Sequence, residues 1–231
     1  MANDSFQTEQ EQFWAGSFGE AYIDRNTAAT FLAGNTALFS QILKRTTETA
    51  SVLELGANVG LNLKAIRTLI PQADLAAVEI NPQACEILGQ DFPDAEIAQA
   101  SILEWEPTER YDLVFSKGVM IHLAPDHLPA TYDKMDRAAA KYVLIAEYYN
   151  PTPMTIPYRG HTDRLFKRDF AGEFLDRHPH YQLIDYGFVW KRDNHFMQDD
   201  ITWFLLQKPA ELAAGAAPQA TAASPPLRRT A

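Results

Sequence analysis

Glu54, Gly56, Asn58 and Gly60 stand together in Ser51-Val-Leu-Glu-Leu-Gly-Ala-Asn-Val-Gly-Leu-Asn62, and a second acid, Glu79, lies in Ala76-Ala-Val-Glu-Ile80. Gly56 and Gly60 lack a Cβ, so the backbone can turn tightly there and approach a ligand closely. A helix that starts beside such a turn offers free N–H groups to an electron-rich ligand. Glu54 would repel a pyrophosphate and suits a cation instead. An acid at the end of the second strand of a βαβ unit is placed to accept hydrogen bonds from ribose hydroxyls. No Gly-Lys-Ser/Thr follows the glycines, which excludes a P-loop.

The elements that must hold these residues follow from punctuation and periodicity. Val52 to Leu55 is a short apolar run that reads as a buried strand, and Leu61, Leu63, Ile66, Leu69 and Ile70 then recur at helical spacing. Pro71 ends that helix, and Asn81-Pro82 opens the next one as cap and first residue. Further strands are expected at 95–99, 111–118 and 142–149, and helices at 125–140 and 171–177. Segments 181–190 and 201–207 read as a closing antiparallel pair. The fold class is therefore α/β, with a Rossmann-like, seven-stranded, mostly parallel sheet, a terminal antiparallel strand and helices on both faces. Residues 1–12 are expected to be a flexible N-terminus and 13–208 a single domain. Within that domain, 13–45 are expected to form a helical lid, including a helix from Ala28 to Leu43 with Gly34 as a candidate break, and 150–172 a loop for the acceptor. The Ala-, Pro- and Thr-rich 209–231 reads as a disordered tail.

Composition narrows the function. The chain has 231 residues and a net charge of −10, which disfavours tight contact with nucleic-acid phosphates. No apolar run approaches the length of a membrane span, and the polar, acidic N-terminus is unlike a signal peptide. Cys85, the single cysteine, allows no internal disulfide and reads as a packing residue of a cytoplasmic protein.

Leu53-Glu-Leu-Gly-Ala-Asn-Val-Gly60 followed by Val78-Glu-Ile80 resembles motif I and the acidic second-strand end of class I S-adenosylmethionine-dependent methyltransferases. The resemblance implies S-adenosylmethionine as cofactor and S-adenosylhomocysteine as product. It places Glu54, Gly56, Asn58, Gly60, Glu79, Ile80, Ser101 and Ile102 around the nucleoside, with Ser101 bonding the adenine amino group where an Asp is common. Ser116 and Lys117 would border the methionine end, closed over by Trp14 and Arg25. Methyl transfer is an in-line displacement, so the enzyme mostly positions the acceptor and excludes water. A neutral hydroxyl or a protonated amine also needs a group to take its proton. His122, just past the fourth strand, and Tyr149 are the catalytic candidates; the alternative for His122 is to support the cofactor pocket. Phe115-Ser-Lys-Gly118 stands where amide- and base-N-methylating enzymes carry Asn/Asp-Pro-Pro-Tyr/Phe, which counts against those activities. No metal is expected.

In this acidic chain, Arg159, His161, Arg164, Lys167 and Arg168 concentrate in one segment. Arg suits a bidentate grip on carboxylate or phosphate, so the segment predicts an anionic acceptor. The alternative is internal pairing with Asp163, Asp169 and Glu173. Tyr22, Asn26, His122, Tyr148, Tyr149, Asn150, Tyr158, Arg159, His161 and Arg168 are the expected acceptor pocket. Glu147-Tyr-Tyr-Asn-Pro151, Tyr158-Arg-Gly-His161, Leu165-Phe-Lys-Arg-Asp-Phe-Ala-Gly-Glu173 and Gln198-Asp-Asp-Ile-Thr-Trp-Phe-Leu-Leu206 are similar to the methylases associated with pseudaminic acid biosynthesis. That resemblance implies a sugar or related anionic metabolite; a phosphonate is another anion that would fit. The expected partner is a small-molecule acceptor, with no nucleic acid and no membrane, for a monomer or homodimer. The rival readings are an RNA methyltransferase and a non-catalytic S-adenosylmethionine-binding regulator.

Overall fold

Side chains alternate along each central strand between two separate apolar cores, the period-two pattern of a sheet covered on both faces. In β1 (Ser51–Leu55), Val52 joins one core, while Leu53 and Leu55 join the other. The first core is roofed by α3 (Ala28–Leu43), α4 (Leu61–Leu69) and α5 (Pro82–Asp91) through Phe39, Ile66 and Leu88. The second is roofed by α6 (Leu128–Ala138) and α7 (Phe170–Arg177) through Tyr132, Met135 and Phe174. Cys85 packs against the first core, as expected of a small hydrophobe. The computed structural model describes residues 6–25, 28–158, 160, 164–210 and 228–229.

The main sheet runs β3 (Glu96–Gln99), β2 (Asp74–Glu79), β1, β4 (Tyr111–Lys117), β5 (Ala139–Glu147), β9 (Ile201–Gln207), β8 (Gln182–Val189). The first five strands are parallel, and β9 runs antiparallel to both neighbours, matching the expected sheet. Thr202 at the start of β9 pairs with Glu147 at the end of β5. The antiparallel strand thus begins where the parallel strands finish, and it delivers Gln198 and Asp199 to their carboxyl-end rim. A further strand, β10 (Arg228–Arg229), lies antiparallel on β3; the rest of the expected tail beyond residue 210 is outside the described residues.

Several local expectations change. Residues 9–12, expected in a flexible terminus, form the first turns of α1 (Glu9–Ala15). Thr8 and Glu11 cap this helix reciprocally, each side chain accepting from the other's backbone N–H. A second helix, α2 (Ser17–Arg25), follows directly. Gly34 does not interrupt α3; a Cβ there would lie 2.8 Å from Gln198 Cγ, so the missing side chain lets the segment before β9 pack on the helix. The 150–172 loop contains an unexpected small hairpin of β6 (Met154–Thr155) and β7 (Phe166–Lys167).

Candidate active site

The strand-to-helix turn after β1 is where the chemistry gathers. Gly56 has φ +76°, and a Cβ there would meet Val119 at 2.6 Å, so the turn abuts the segment after β4. Gly60, at φ +74°, precedes α4, but its Cβ would collide with Leu88 and Phe92 at 2.7 Å. Gly60 therefore serves close packing against α5 and does not line the cavity. The cavity, about 220 Å³, spans the rim from Glu79 and Asn81 to Gln198 and Asp199, with Trp14, Gly19 and Tyr22 of the N-terminal helices over it.

Glu54 is fully buried at the end of β1, on the face that carries α4. Its Oε1 accepts from Asn62 Nδ2 at 2.6 Å, while its Oε2 and Asn62 Oδ1 have no partner. Burial pushes the Glu54 carboxyl up to about 8, against the opposing pull of Asn62 and Lys117. Two buried oxygens without hydrogen-bond partners are costly, and a ligand with a cationic N–H group would satisfy them with Glu54 in its ionised form. Glu79 at the end of β2 accepts from Asn58 N–H at 2.7 Å and from Asn81 N–H at 2.8 Å. These bonds fix its carboxylate in the cavity wall; burial raises its pKa nonetheless. The expected ribose acceptor is thus held in place by the turn it faces.

Ser101 was expected beside adenine, but it does not line the cavity. Its hydroxyl donates to Glu11 Oε1, and Glu11 itself forms the wall. A carboxylate from α1 thus stands in the wall beside Ser101. Ile102 is in the core below α6, and neither Ile80 nor Ser116 lines the cavity.

Lys117, at the end of β4, does line it. Burial lowers its pKa, opposed by Glu54, Asp199 and Glu147 in that order. His122 lies a short 3₁₀ turn further on, with Nδ1 2.7 Å from the Arg164 carbonyl oxygen. Nδ1 therefore donates in the neutral ring, leaving Nε2 as an acceptor. Burial drives the His122 pKa down to about 4, so the ring is neutral at ordinary pH. Trp14 packs 4.7 Å and Tyr158 5.4 Å from it, centroid to centroid.

The acceptor residues expected from sequence divide. Tyr22 and His122 line the cavity, and Tyr158 supports His122 and Phe18 from behind. Tyr148 hydrogen-bonds Asp199. Tyr149, proposed as catalytic, is exposed and packs on Phe204 away from the cavity; successive residues at the strand end alternate in direction, and Tyr148 takes the inward one. Asn150 bonds the Thr152 carbonyl within its own turn. In the basic segment, Arg168 pairs with Glu173 at 2.6 Å, Arg164 with Glu9 at 2.6 Å, and Lys167 sits over the Tyr148 ring. Of these, only Arg168 pairs with an acid of its own segment, Glu173, while Arg164 and Lys167 are engaged by Glu9 and Tyr148 from elsewhere in the chain. Asn26, Arg159 and His161 lie outside the described residues, as does the side chain of Arg25.

The wall also contains residues that the sequence did not assign to the site: Glu11, Asn35, Asn62, Asn81, Gln198 and Asp199. Thr8-x-x-Glu11 was a readable capping signal, and Asn62 closes the glycine segment. Asn35, Gln198 and Asp199 reach the site only through tertiary packing.

Residues 52–141 match the family described as Methyltransferase domain. No curated protein sequence is matched. Among solved structures, the chain is similar to TehB from Haemophilus influenzae, at 19% identity over 82% of this chain and 67% of that one, TM-score 0.57. It is also similar to the O-methyltransferase of a trans-AT PKS multienzyme of Brevibacillus brevis, solved with S-adenosyl-L-homocysteine, at 13% identity, 75% and 72% coverage, TM-score 0.61. Magnesium protoporphyrin IX methyltransferase from Synechocystis PCC 6803, solved with bound SAM, aligns over 90% of this chain and all (100%) of that one, at 12% identity and TM-score 0.59. At these identities the likeness is one of fold. Residues 52–141 match a methyltransferase domain, and the chain shares the fold of methyltransferases solved with S-adenosylmethionine or S-adenosyl-L-homocysteine.

Proposed function

We propose that this protein transfers a methyl group from S-adenosylmethionine to a small polar metabolite. The observation that carries this reading is the pair of unpartnered oxygens, Glu54 Oε2 and Asn62 Oδ1, at the motif that binds the cofactor in this fold. They suit the cofactor's ammonium, and Glu79 suits its ribose. S-adenosylmethionine supplies an electrophilic methyl carbon on a sulfonium. The chain's own residues supply the rest: Trp14 and Tyr22 cover the cavity against water, and Gly118 and Val119 form the wall between β4 and His122. His122 accepts a hydrogen bond from the acceptor through Nε2.

The sugar-acid or phosphonate acceptor suggested by the basic segment finds no support among its described cations, because Arg164, Lys167 and Arg168 are engaged within the fold. An RNA acceptor is disfavoured by the net charge of −10. The test is calorimetric titration of the purified protein with S-adenosylmethionine and S-adenosylhomocysteine. Micromolar binding of both is the expected result, and no binding of either sinks the reading. His122→Ala removes one hydrogen bond, about 1–1.5 kcal/mol, and is expected to lower turnover about tenfold with cofactor affinity unchanged. The wild-type rate should show no inflection near pH 6.5 from His122, because its ring titrates near 4. A rate profile that rises through 6.5 in the wild type and is flat in the alanine variant would contradict this.

A further inference from the structure

Beyond the cofactor end, the cavity wall is furnished with acceptors. Asn35 and Gln198 are both buried and both line the cavity, and Asn35 Oδ1 and Gln198 Oε1 have no partner. The amide nitrogen of Gln198 is already spent on the Gly34 carbonyl at 2.7 Å, which fixes the orientation of the amide and leaves its oxygen to be satisfied from elsewhere. Asp199 adds a carboxylate next along the chain, hydrogen-bonded by Tyr148. Among the described lining residues Lys117 is the single cation, His122 being neutral. Glu54, Asp199 and Glu147 all bear on that ammonium. The described lining therefore holds no surplus positive charge for an anion.

These groups enter the cavity from other elements than the β1 strand that carries Glu54. Gln198 and Asp199 lead into β9, which stands beyond β4 and β5 from the strand that carries Glu54. Asn35 approaches from α3, one helical turn after Phe31 on the same face. A buried acceptor left without a donor costs as much as a lost hydrogen bond, and a ligand that supplies donors recovers that cost on binding.

Resting on the methyltransferase reading, we propose that the acceptor is recognised through hydrogen-bond donors, an amine or a set of sugar-like hydroxyls, by Asn35, Gln198 and Asp199. Its recognised face is not a carboxylate or phosphate. This departs from the anionic acceptor expected from the basic segment, and the reason is physical: the described arginines of that segment are paired, while the cavity offers oxygens.

The experiment uses three matched probes, glucosamine, glucose and glucuronate, with S-adenosylmethionine bound. Calorimetry first establishes cofactor binding; its absence would bring down the methyltransferase reading itself, separately from this inference. With cofactor bound, glucosamine or glucose is expected to bind at least tenfold more tightly than glucuronate. The amine arm against the neutral arm tells which donor is used. Asp199→Asn, which keeps the shape, and Asn35→Leu are each expected to weaken the favoured probe at least fivefold while the cofactor Kd stays within twofold. Preference for glucuronate, or an equal response from all three probes, nil included, overturns the proposal. So does a loss of cofactor affinity in both variants that matches the loss of probe affinity, because those residues would then hold the cofactor.

Discussion

Glu54→Gln is expected to weaken S-adenosylmethionine binding by roughly ten- to a hundredfold near pH 8 while stabilising the ligand-free protein. A hydrogen bond to a charged group contributes about 1.5–3 kcal/mol net, and each 1.36 kcal/mol is a factor of ten. Glutamine keeps the shape and the bond from Asn62 but removes the charge that meets the ammonium. The sign on stability is opposite. Burial raises the folded-state carboxyl from its ordinary 4.5 to about 8. Its contribution to stability is therefore fully present below about 4.5 and is lost as pH rises through about 8. The neutral amide escapes that loss, so the variant should unfold at higher urea than the wild type near pH 8 and converge with it at acid pH. Binding has a pH signature too. The ionised carboxyl is the form that pairs with a cation, so wild-type affinity should climb between about pH 6 and 8, by at most about tenfold per unit, and the variant should lose the slope. Urea melts and calorimetry over that range decide the matter. A variant that loses affinity and stability together is merely damaged, and one that retains the slope shows that some other group carries it.

That coupling of cost and use explains why the sequence was readable where it was. Glu54 and Glu79 sit at ends of short apolar runs followed by Gly or Asn-Pro, so their placement depends only on local punctuation and strand parity. The parallel strands, buried on both faces, announce themselves as continuous apolar segments. The same logic fails past the strand ends. Parity could not tell Tyr148 from Tyr149, because nothing in Glu147-Tyr-Tyr-Asn150 fixes which ring turns inward. The cations of the basic segment have acids near them in sequence, yet Arg164 pairs with Glu9 from the other end of the chain. Ser101 was read as a ligand contact because nothing local foretold that Glu11 would reach it. Gln198 and Asp199 enter the site only because β9 is inserted antiparallel beside β5, a pairing set by the whole sheet.

Glu147→Ala is expected to be the most destabilising of the substitutions considered, by about 3 kcal/mol, or a fall in melting temperature of roughly 6–12 °C. Glu147 was legible only as a polar end to the fifth strand, yet it is 2% exposed and satisfies the turn after β4. Its Oε1 accepts from Ser116 Oγ at 2.7 Å and from Val119 and Met120 N–H at 3.1 Å each, and its Oε2 from Ile121 N–H at 3.4 Å. Alanine would strand these donors together, whereas Glu147→Gln can retain the bonds to one oxygen and should cost about 1 kcal/mol. Burial raises this carboxyl to about 7, so its stabilising contribution is fully present below about 4.5 and fades as pH rises through about 7. The Gln variant should therefore lose part of the wild type's decline in stability between about pH 4.5 and 7, with Glu54 and Glu79, whose carboxyls burial also raises, contributing to the remainder. The turn that Glu147 holds carries Val119 and His122 into the cavity wall, so the alanine variant should lose cofactor affinity as well, in proportion to the disorder of that turn. Thermal melts of both variants across this pH range provide the check. An alanine variant as stable as the glutamine one would mean that the three backbone N–H groups find water, and that the carboxylate is kept for charge beside Lys117 instead.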